Sequence, residues 1–433
     1  MLALVRISLV RRFARTIRAE GLRPALRKAR NFARRHWRGL APAPMQAAGG
    51  AGGLYLSPVW ANLAQARAFH ISCPPALHRR RRKLAIIGDL NLPQCRKYRV
   101  EQLAEFWRTQ DVDVEFAHWQ DVPRASAILQ DATHLACYRL RAHPTVSMYL
   151  YEARRLRLPV LYDIDDPLFS VSAYETYGNM DVLDPGMRAH FAAEAPGYLD
   201  VMNACDLVSV STPGMAEHAA QLTLRPVHLR RNFADRATLA AGAEAMRVSL
   251  DNGGVFRVAF ASGSRGHEAD FAQVADVVAA FLARDSRRRL MILGHFDRAR
   301  LPAAIARQTE WHAFTGYRDY LRTLAQADCA VMPLTDDLFN RCKSAVRALD
   351  AAAVGVPVIC SAVGDFPNVV EHGRTGLLAR AGPDWAEGLE RLVNDPDGAR
   401  AMGLRARRTV ESRWAGRAQS HVIDRALCDW VLG

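Results

Sequence analysis

From Lys83 onward the chain alternates short apolar runs with amphipathic stretches. Uninterrupted runs such as KLAIIGDL (83–90), VDVEFAHW (112–119), THLACYRL (133–140), PVLYDIDD (159–166), DLVSVST (206–212) and RPVHLRRN (225–232) predict strands buried on both faces, as in a parallel sheet. YRVEQLAEFWRTQ (98–110) and SMYLYEARRLRL (147–158) show helical periodicity between them. A polar, glycine-bearing stretch from Ala234 to Gly254 reads as a connection, and a second series of strands follows: FRVAFASG (256–263), RRLMILGH (288–295), CAVMPL (329–334) and PVICSAV (357–363).

The pattern predicts an α/β chain of two Rossmann-like, doubly wound parallel-sheet domains facing a cleft, with a basic helical N-terminal extension. The expected boundaries are 1–83 for the extension and linker, 84–235 for the first domain, 236–408 for the second and 409–433 for a C-terminal helix. Ligands of open parallel sheets bind outside the carboxyl ends of the strands, so chemistry is sought just after each strand.

Charge divides the chain in the same way. Residues 1–83 hold 18 of the 58 Lys and Arg and a single acid, Glu20, whereas the other 350 residues are near neutral at about −3. The overall +14 is therefore a property of the N-terminal segment and does not describe a nucleic-acid-binding body. Residues 1–40 interleave twelve cations with Leu, Ile, Val, Phe and Trp. Arginine breaks this segment too often for a membrane span or a secretory leader, and the pattern suits the surface of an anionic membrane. A solvated arm or a helix packed on its own domain fits as well. The expected location is cytoplasmic, peripheral on the cytoplasmic membrane face. The eight cysteines are scattered without zinc spacing, which predicts reduced thiols and no structural metal.

Asn340 to Ile359, NRCKSAVRALDAAAVGVPVI, carries the most specific chemistry. An alanine-rich helix ending at Gly355 precedes Pro357 and a buried strand, and Asn340 or Ser344 is a plausible N-cap. If the first turn includes Lys343, then Lys343, Arg347 and Asp350 line one face that begins at a helix N-terminus. Lysine there neutralises phosphate and a carboxylate two turns on accepts from sugar hydroxyls; the alternative is an exposed Arg347–Asp350 pair.

The run from Phe339 to Leu378, through GVPVICSAVGDFPNVVEHGRTGLLAR, resembles the donor-binding end of retaining glycosyltransferases of the B fold, which use nucleotide-sugar donors. Two glutamates stand eight positions apart in that family, and Cys342 and Asp350 occupy the matching places. The resemblance implies that Asp350 holds the donor ribose, that transfer retains anomeric configuration, and that the C-terminal helix crosses back onto the first domain. Asn340, Lys343 and Ser344 match an Asn-x-x-Lys-Ser variant of a polysaccharide-assembly (O-antigen-type) branch, in which lysine commonly stands where this chain has Arg347. The same branch has a Ser-Gly-x-x-x-His-x-x-Asp-Phe turn, matched by Ser262, Gly263, His267, Asp270 and Phe271.

That turn, ASGSRGHEADF, follows a strand and opens a helix. Ser262, Gly263 and Ser264 are expected to offer backbone N–H groups to a diphosphate and Arg265 and His267 to reach it, unless the stretch is only a capped helix start with His267 paired to Asp270. In YDIDDPLF, Asp165 and Asp166 are expected to face the cleft on the acceptor side, with turn capping and metal binding as alternatives. Tyr98, Arg99 and His118 are acceptor-side candidates that equally suit structural roles. No Ser-His-Asp order, P-loop or Gly-x-Gly-x-x-Gly fingerprint occurs.

The expected function is transfer of a sugar from a nucleotide-diphosphate sugar to a glycan or lipid-linked acceptor, without metal or other cofactor, in cell-surface polysaccharide assembly. Lys343, Arg265, Asp165 and Asp166 are the expected catalytic groups. A binding or scaffold protein that has lost turnover, or a nucleotide-sugar epimerase, would share the architecture.

Overall fold

The structure is a computed structural model that describes residues 81–247, 253–263, 266–416 and 419–433, together with scattered helical positions between 10 and 30. It divides into two compact units, 1–55 and 56–433. Most of the basic segment 1–40, and so the expected membrane contact, lies outside the described residues, as do Ser264 and Arg265.

Within the larger unit the two doubly wound sheets expected from sequence are present, each six-stranded and parallel. The first runs in the order β2-β1-β3-β4-β5-β6, from β1 (Lys83–Gly88), β2 (Asp113–His118) and β3 (His134–Tyr138) to β4 (Val160–Ile164), β5 (Leu207–Val210) and β6 (Val227–Leu229). The second runs β12-β11-β10-β7-β8-β9, with β7 (Phe256–Ser262), β8 (Arg288–Gly294), β9 (Thr309–His312), β10 (Cys329–Met332), β11 (Val358–Ser361) and β12 (Leu377–Ala379). Its strand order reverses between β7 and β10, so the crevice that such sheets offer to ligands opens beyond Ser262 and beyond the segment that follows Met332.

β1, β3, β4, β5, β10 and β11 are buried almost throughout, which is why they read as continuous apolar runs. β9 (TEWH) and β12 (LLA) were not expected. Both are short edge strands, too brief for periodicity to register.

The carboxyl ends of the two sheets meet directly. Thr212 Oγ1, after β5, donates to the Cys342 carbonyl at 2.8 Å, Asn232 Nδ2 donates to Ser344 Oγ at 3.0 Å, and Gln94 Nε2 donates to the Gly263 carbonyl at 3.3 Å. Gly214 permits this approach, because a Cβ there would stand 2.4 Å from the Arg341 carbonyl oxygen. The tail returns to the first sheet. Ile423 bridges Arg230 beside β6, the Asp424 N–H bonds the Leu229 carbonyl at 2.9 Å, and the helix Arg425–Leu432 buries Leu427 and Val431 and sets Trp430 against His134.

Among the described residues no helix is long and apolar enough to cross a membrane, and no group of three or more His, Cys, Asp or Glu could hold a metal ion.

Candidate active site

Lys343 does not lie on the helix that carries Asp350. A short helix, Leu338–Arg341, is capped by Asp337, whose carboxylate accepts from the Asn340 backbone N–H and from Asn340 Nδ2, both at 2.8 Å. The next helix, Val346–Ala353, starts only after Ala345, and neither Asn340 nor Ser344 caps it. A helix running through Lys343 would need the carbonyls of Cys342 and Lys343 for its own hydrogen bonds. Both are committed elsewhere, the first to Thr212 and the second to the Asp365 N–H at 3.1 Å. Gly364, at φ +62°, makes the second contact possible, since a Cβ there would meet the Asn340 oxygen at 2.7 Å. The expected single face of Lys343, Arg347 and Asp350 is therefore not formed.

The lysine is instead held against the first domain. Its ammonium donates to Tyr177 Oη at 3.0 Å and lies over the rings of Tyr177 (5.1 Å) and Phe339 (5.5 Å), which stack at 4.0 Å with planes 8° apart. Burial pulls its pKa down, but Tyr177, Asp166 and Asp270 together outweigh burial and raise it, so the group stays an ammonium.

His267 and Asp270 flank this cation and pair with each other, Nδ1 to Oδ2 at 2.9 Å. Burial, reinforced by Lys343 and Arg347, keeps the imidazole neutral, while the His267 hydrogen bond and the nearby cations offset burial and hold the Asp270 carboxyl low. Asn179, from the first domain, donates through Nδ2 to both Asp270 Oδ2 and Tyr177 Oη at 2.9 Å. Ser262 is buried at the end of β7, and Gly263 beside it has open space where a side chain would lie. Arg347 reaches back to the Ala261 carbonyl at 3.5 Å and lies 5.9 Å over Phe366.

Asp350 forms a second corner. It is buried, and its two oxygens accept from Tyr98 Oη of the first domain (2.7 Å) and Tyr317 Oη of the second (2.6 Å). The surface-pair alternative for Asp350 thus fails. Lys97 lies 4.7 Å over the Tyr317 ring and bonds Asp235 at 2.5 Å. Burial pushes the Asp350 carboxyl up to about 6, although both phenols and Lys97 favour its charged form.

After β4, Asp166 is partly exposed and receives Arg139 Nη2 at 2.8 Å, while Asp165 is more deeply placed beside Tyr138 Oη at 3.3 Å. Burial raises the Asp165 pKa against the pull of Arg139. Arg99 is not available to an acceptor: it is fully buried and bonded to Asp163 at 2.5 Å, with Arg230 on the other Asp163 oxygen at 2.7 Å and Ser209 closing the cluster. The first domain needs Arg99 because it also donates to the Arg230 carbonyl and to Asn232 Oδ1, tying the helix after β1 to the chain after β6. His118 Nδ1 accepts from the Leu90 N–H at 3.1 Å, so its lone pair holds the loop after β1.

Tyr177, Asn179, Phe339 and Tyr317 escaped sequence reasoning. Tyr177 and Asn179 lie on the same connection after β4 as Asp165 and Asp166, in AYETYGNM, and the rule that chemistry follows strands would have reached them had it been carried about twelve residues further.

Two facing parallel sheets with a partly buried cation, an imidazole–carboxylate pair and a second carboxylate at their junction make up the B fold. The family described as Glycosyl transferases group 1 matches residues 257–395, which hold nearly all of the second sheet. Among curated proteins, D-inositol 3-phosphate glycosyltransferase of Pseudarthrobacter chlorophenolicus is 39% identical over 95 residues, 21% of this chain and 21% of the relative. The GDP-mannose-dependent alpha-(1-6)-phosphatidylinositol monomannoside mannosyltransferase of Mycobacterium tuberculosis is 40% identical over 68 residues, 15% of this chain and 18% of that one. The matches thus span about a fifth of these relatives' length. Among solved structures, HepE of Anabaena in complex with UDP-glucose aligns at a TM-score of 0.54 and 13% identity over 81% of this chain and 99% of its own, a likeness of fold.

Proposed function

We propose that the protein transfers a sugar from a nucleotide-diphosphate sugar to a glycan or lipid-linked acceptor, with retention of configuration and without a metal. The observation that carries this reading is Lys343, a partly buried ammonium at the switch point of the sheet that matches the group 1 glycosyltransferases, its charge supported by Asp166 of the first domain. The acceptor oxygen bonds to the anomeric carbon as the bond from that carbon to the phosphate oxygen breaks on the same face. The electron pair leaves on the diphosphate, where Lys343 and Arg347 neutralise it, and the acceptor's proton passes to the departing phosphate. Asp166 orients the acceptor hydroxyl, and Asp350 takes the donor ribose once the phenols of Tyr98 and Tyr317 yield it. Matches to enzymes named for inositol-phosphate and phosphatidylinositol-mannoside acceptors favour a phosphorylated or lipid-borne acceptor, which suits an arm of twelve cations that gathers the protein at an anionic membrane.

The test is a thermal-shift screen against a panel of nucleotide sugars, followed by acceptor-dependent release of nucleoside diphosphate in the presence of EDTA. Stabilisation by one nucleotide sugar and release that chelation does not change are the expected results. A protein stabilised by none of the panel is no sugar transferase, and interconversion of the sugar without diphosphate release would identify an epimerase.

A further inference from the structure

The connection after β4 carries a strap, a helix Val171–Thr176 followed by the 3-10 turn Gly178–Val182, that lays Tyr177 and Asn179 of the first domain on the second. Three side-chain oxygens in this neighbourhood are buried without a hydrogen-bond partner: Asn179 Oδ1, Asp270 Oδ1 and Asn340 Oδ1. The residues themselves are 4%, 0% and 0% exposed. The amide orientations follow from chemistry, because Nδ2 of Asn179 faces the Asp270 carboxylate and Nδ2 of Asn340 faces the Asp337 carboxylate, and a carboxylate only accepts. The orphaned atoms are therefore acceptors, and what is missing is a set of donors. Buried acceptors in native proteins are matched by protein or by ordered water, so a group of them that no protein donor reaches is a place where water or a ligand must bring O–H or N–H groups. They adjoin Lys343 through Tyr177, which accepts from both the ammonium and Asn179.

We infer that Asn179 of the strap, with Asp270, forms a hydroxyl-accepting subsite for the sugar of the nucleotide-sugar donor, and that this pair selects which sugar is used. The inference rests on the proposed function, which places the donor diphosphate at Lys343. A cation at the diphosphate and acceptors beside it match a sugar that hangs from the β-phosphate and offers several hydroxyls. Cys342, at the place of the family's first glutamate, cannot supply these contacts: its thiol is buried in the first domain's apolar cluster, and burial pushes it up to about 12. The task falls to the acceptors across the strap. Because Asn179 belongs to the first domain and Asp270 to the second, a bound sugar completes a contact between the domains.

Calorimetric titration of the full chain with UDP and UDP-glucose, and with GDP and GDP-mannose, tests the subsite. The unaltered protein is expected to bind one sugar nucleotide more tightly than its diphosphate. Asn179→Ala and Asp270→Asn should each weaken that sugar nucleotide at least tenfold while holding the diphosphate within about twofold. Tyr177→Phe, which keeps the orphaned oxygens, should preserve the preference for the sugar. Should either variant fail to fold, the unaltered protein serves with deoxyfluoro analogues of the bound donor, since fluorine cannot donate and at least one analogue must lose about tenfold. Equal losses for sugar nucleotide and diphosphate in both variants, or no loss with any analogue, would overturn the subsite while leaving the proposed function standing. A protein that binds neither diphosphate nor sugar nucleotide overturns both.

Discussion

Replacing Tyr98 by Phe removes one of the two phenols that hold Asp350, and the cost should depend on pH. The hydroxyl donates to a buried carboxylate at 2.7 Å. Hydrogen bonds to charged groups contribute about 1.5–3 kcal/mol, and Asp350 is only 3% exposed, so solvent is poorly placed to replace the lost donor. Asp350 titrates near 6 in the folded chain against an ordinary 3.8. Its folded pKa is raised, so the native state holds more protons than the unfolded state between these values and stability falls as pH climbs from about 4 to about 6. This decline is about 3 kcal/mol in the wild type. Removing Tyr98 Oη takes away an interaction specific to the carboxylate, so Tyr98→Phe should push the Asp350 pKa further up and extend the decline to higher pH. Urea unfolding followed by tryptophan fluorescence should show a deficit of about 2 kcal/mol at pH 8 that shrinks below about 1 kcal/mol at pH 4.5. An equal deficit at both pH values would refute the assignment of the bond to an ionised Asp350.

Lys343→Ala should lower affinity for any bound nucleotide sugar by at least about tenfold in calorimetry, the loss of a charge-assisted phosphate contact; unchanged affinity would place the diphosphate elsewhere. Asp163→Ala leaves Arg99 and Arg230 buried and unpaired, and should cost about 3–5 kcal/mol in urea unfolding without altering the ligand preference of whatever fraction folds. Cys342→Glu, which places the acid of the resembled family at this position, should destabilise the protein by about 2 kcal/mol or more and raise no activity, because the side chain enters an apolar cluster; a rise in diphosphate release would show that the position faces the donor. Deleting residues 1–50 should abolish co-sedimentation with anionic vesicles and leave slow donor hydrolysis intact.

The strands of both sheets were legible wherever they are buried on two faces, because burial on two faces leaves no polar alternation to misread. The edge strands β9 and β12 were not, since β9 is half-covered along its four residues and β12 is only three residues long, too little to carry a pattern. Lys343 and Asp350 stood out in the sequence, but their relation to one another did not. Helical spacing joined them on one face, and the break between them is made by Thr212, about 130 residues away in the chain, and by Gly364. Arg99 stayed open between an acceptor contact and a structural role for a related reason: whether an arginine after a strand turns to the crevice or into the core depends on whether a distant acid awaits it, and Asp163 does. Tyr177 and Asn179 have no local signature, and only their contact partners give them meaning.

The bond from Thr212 to the Cys342 carbonyl has a mechanical consequence. It fastens the residue just before Lys343 to the first domain, while the Lys343 carbonyl is fastened to Asp365 of the second. The lysine thus sits on a short tether strung between two bodies, and any rotation of one against the other must drag its ammonium. On the proposed function, a donor held at Lys343 would couple its capture to any such rotation, so that a mutation at Thr212, remote from the ammonium's own contacts, would blunt both together.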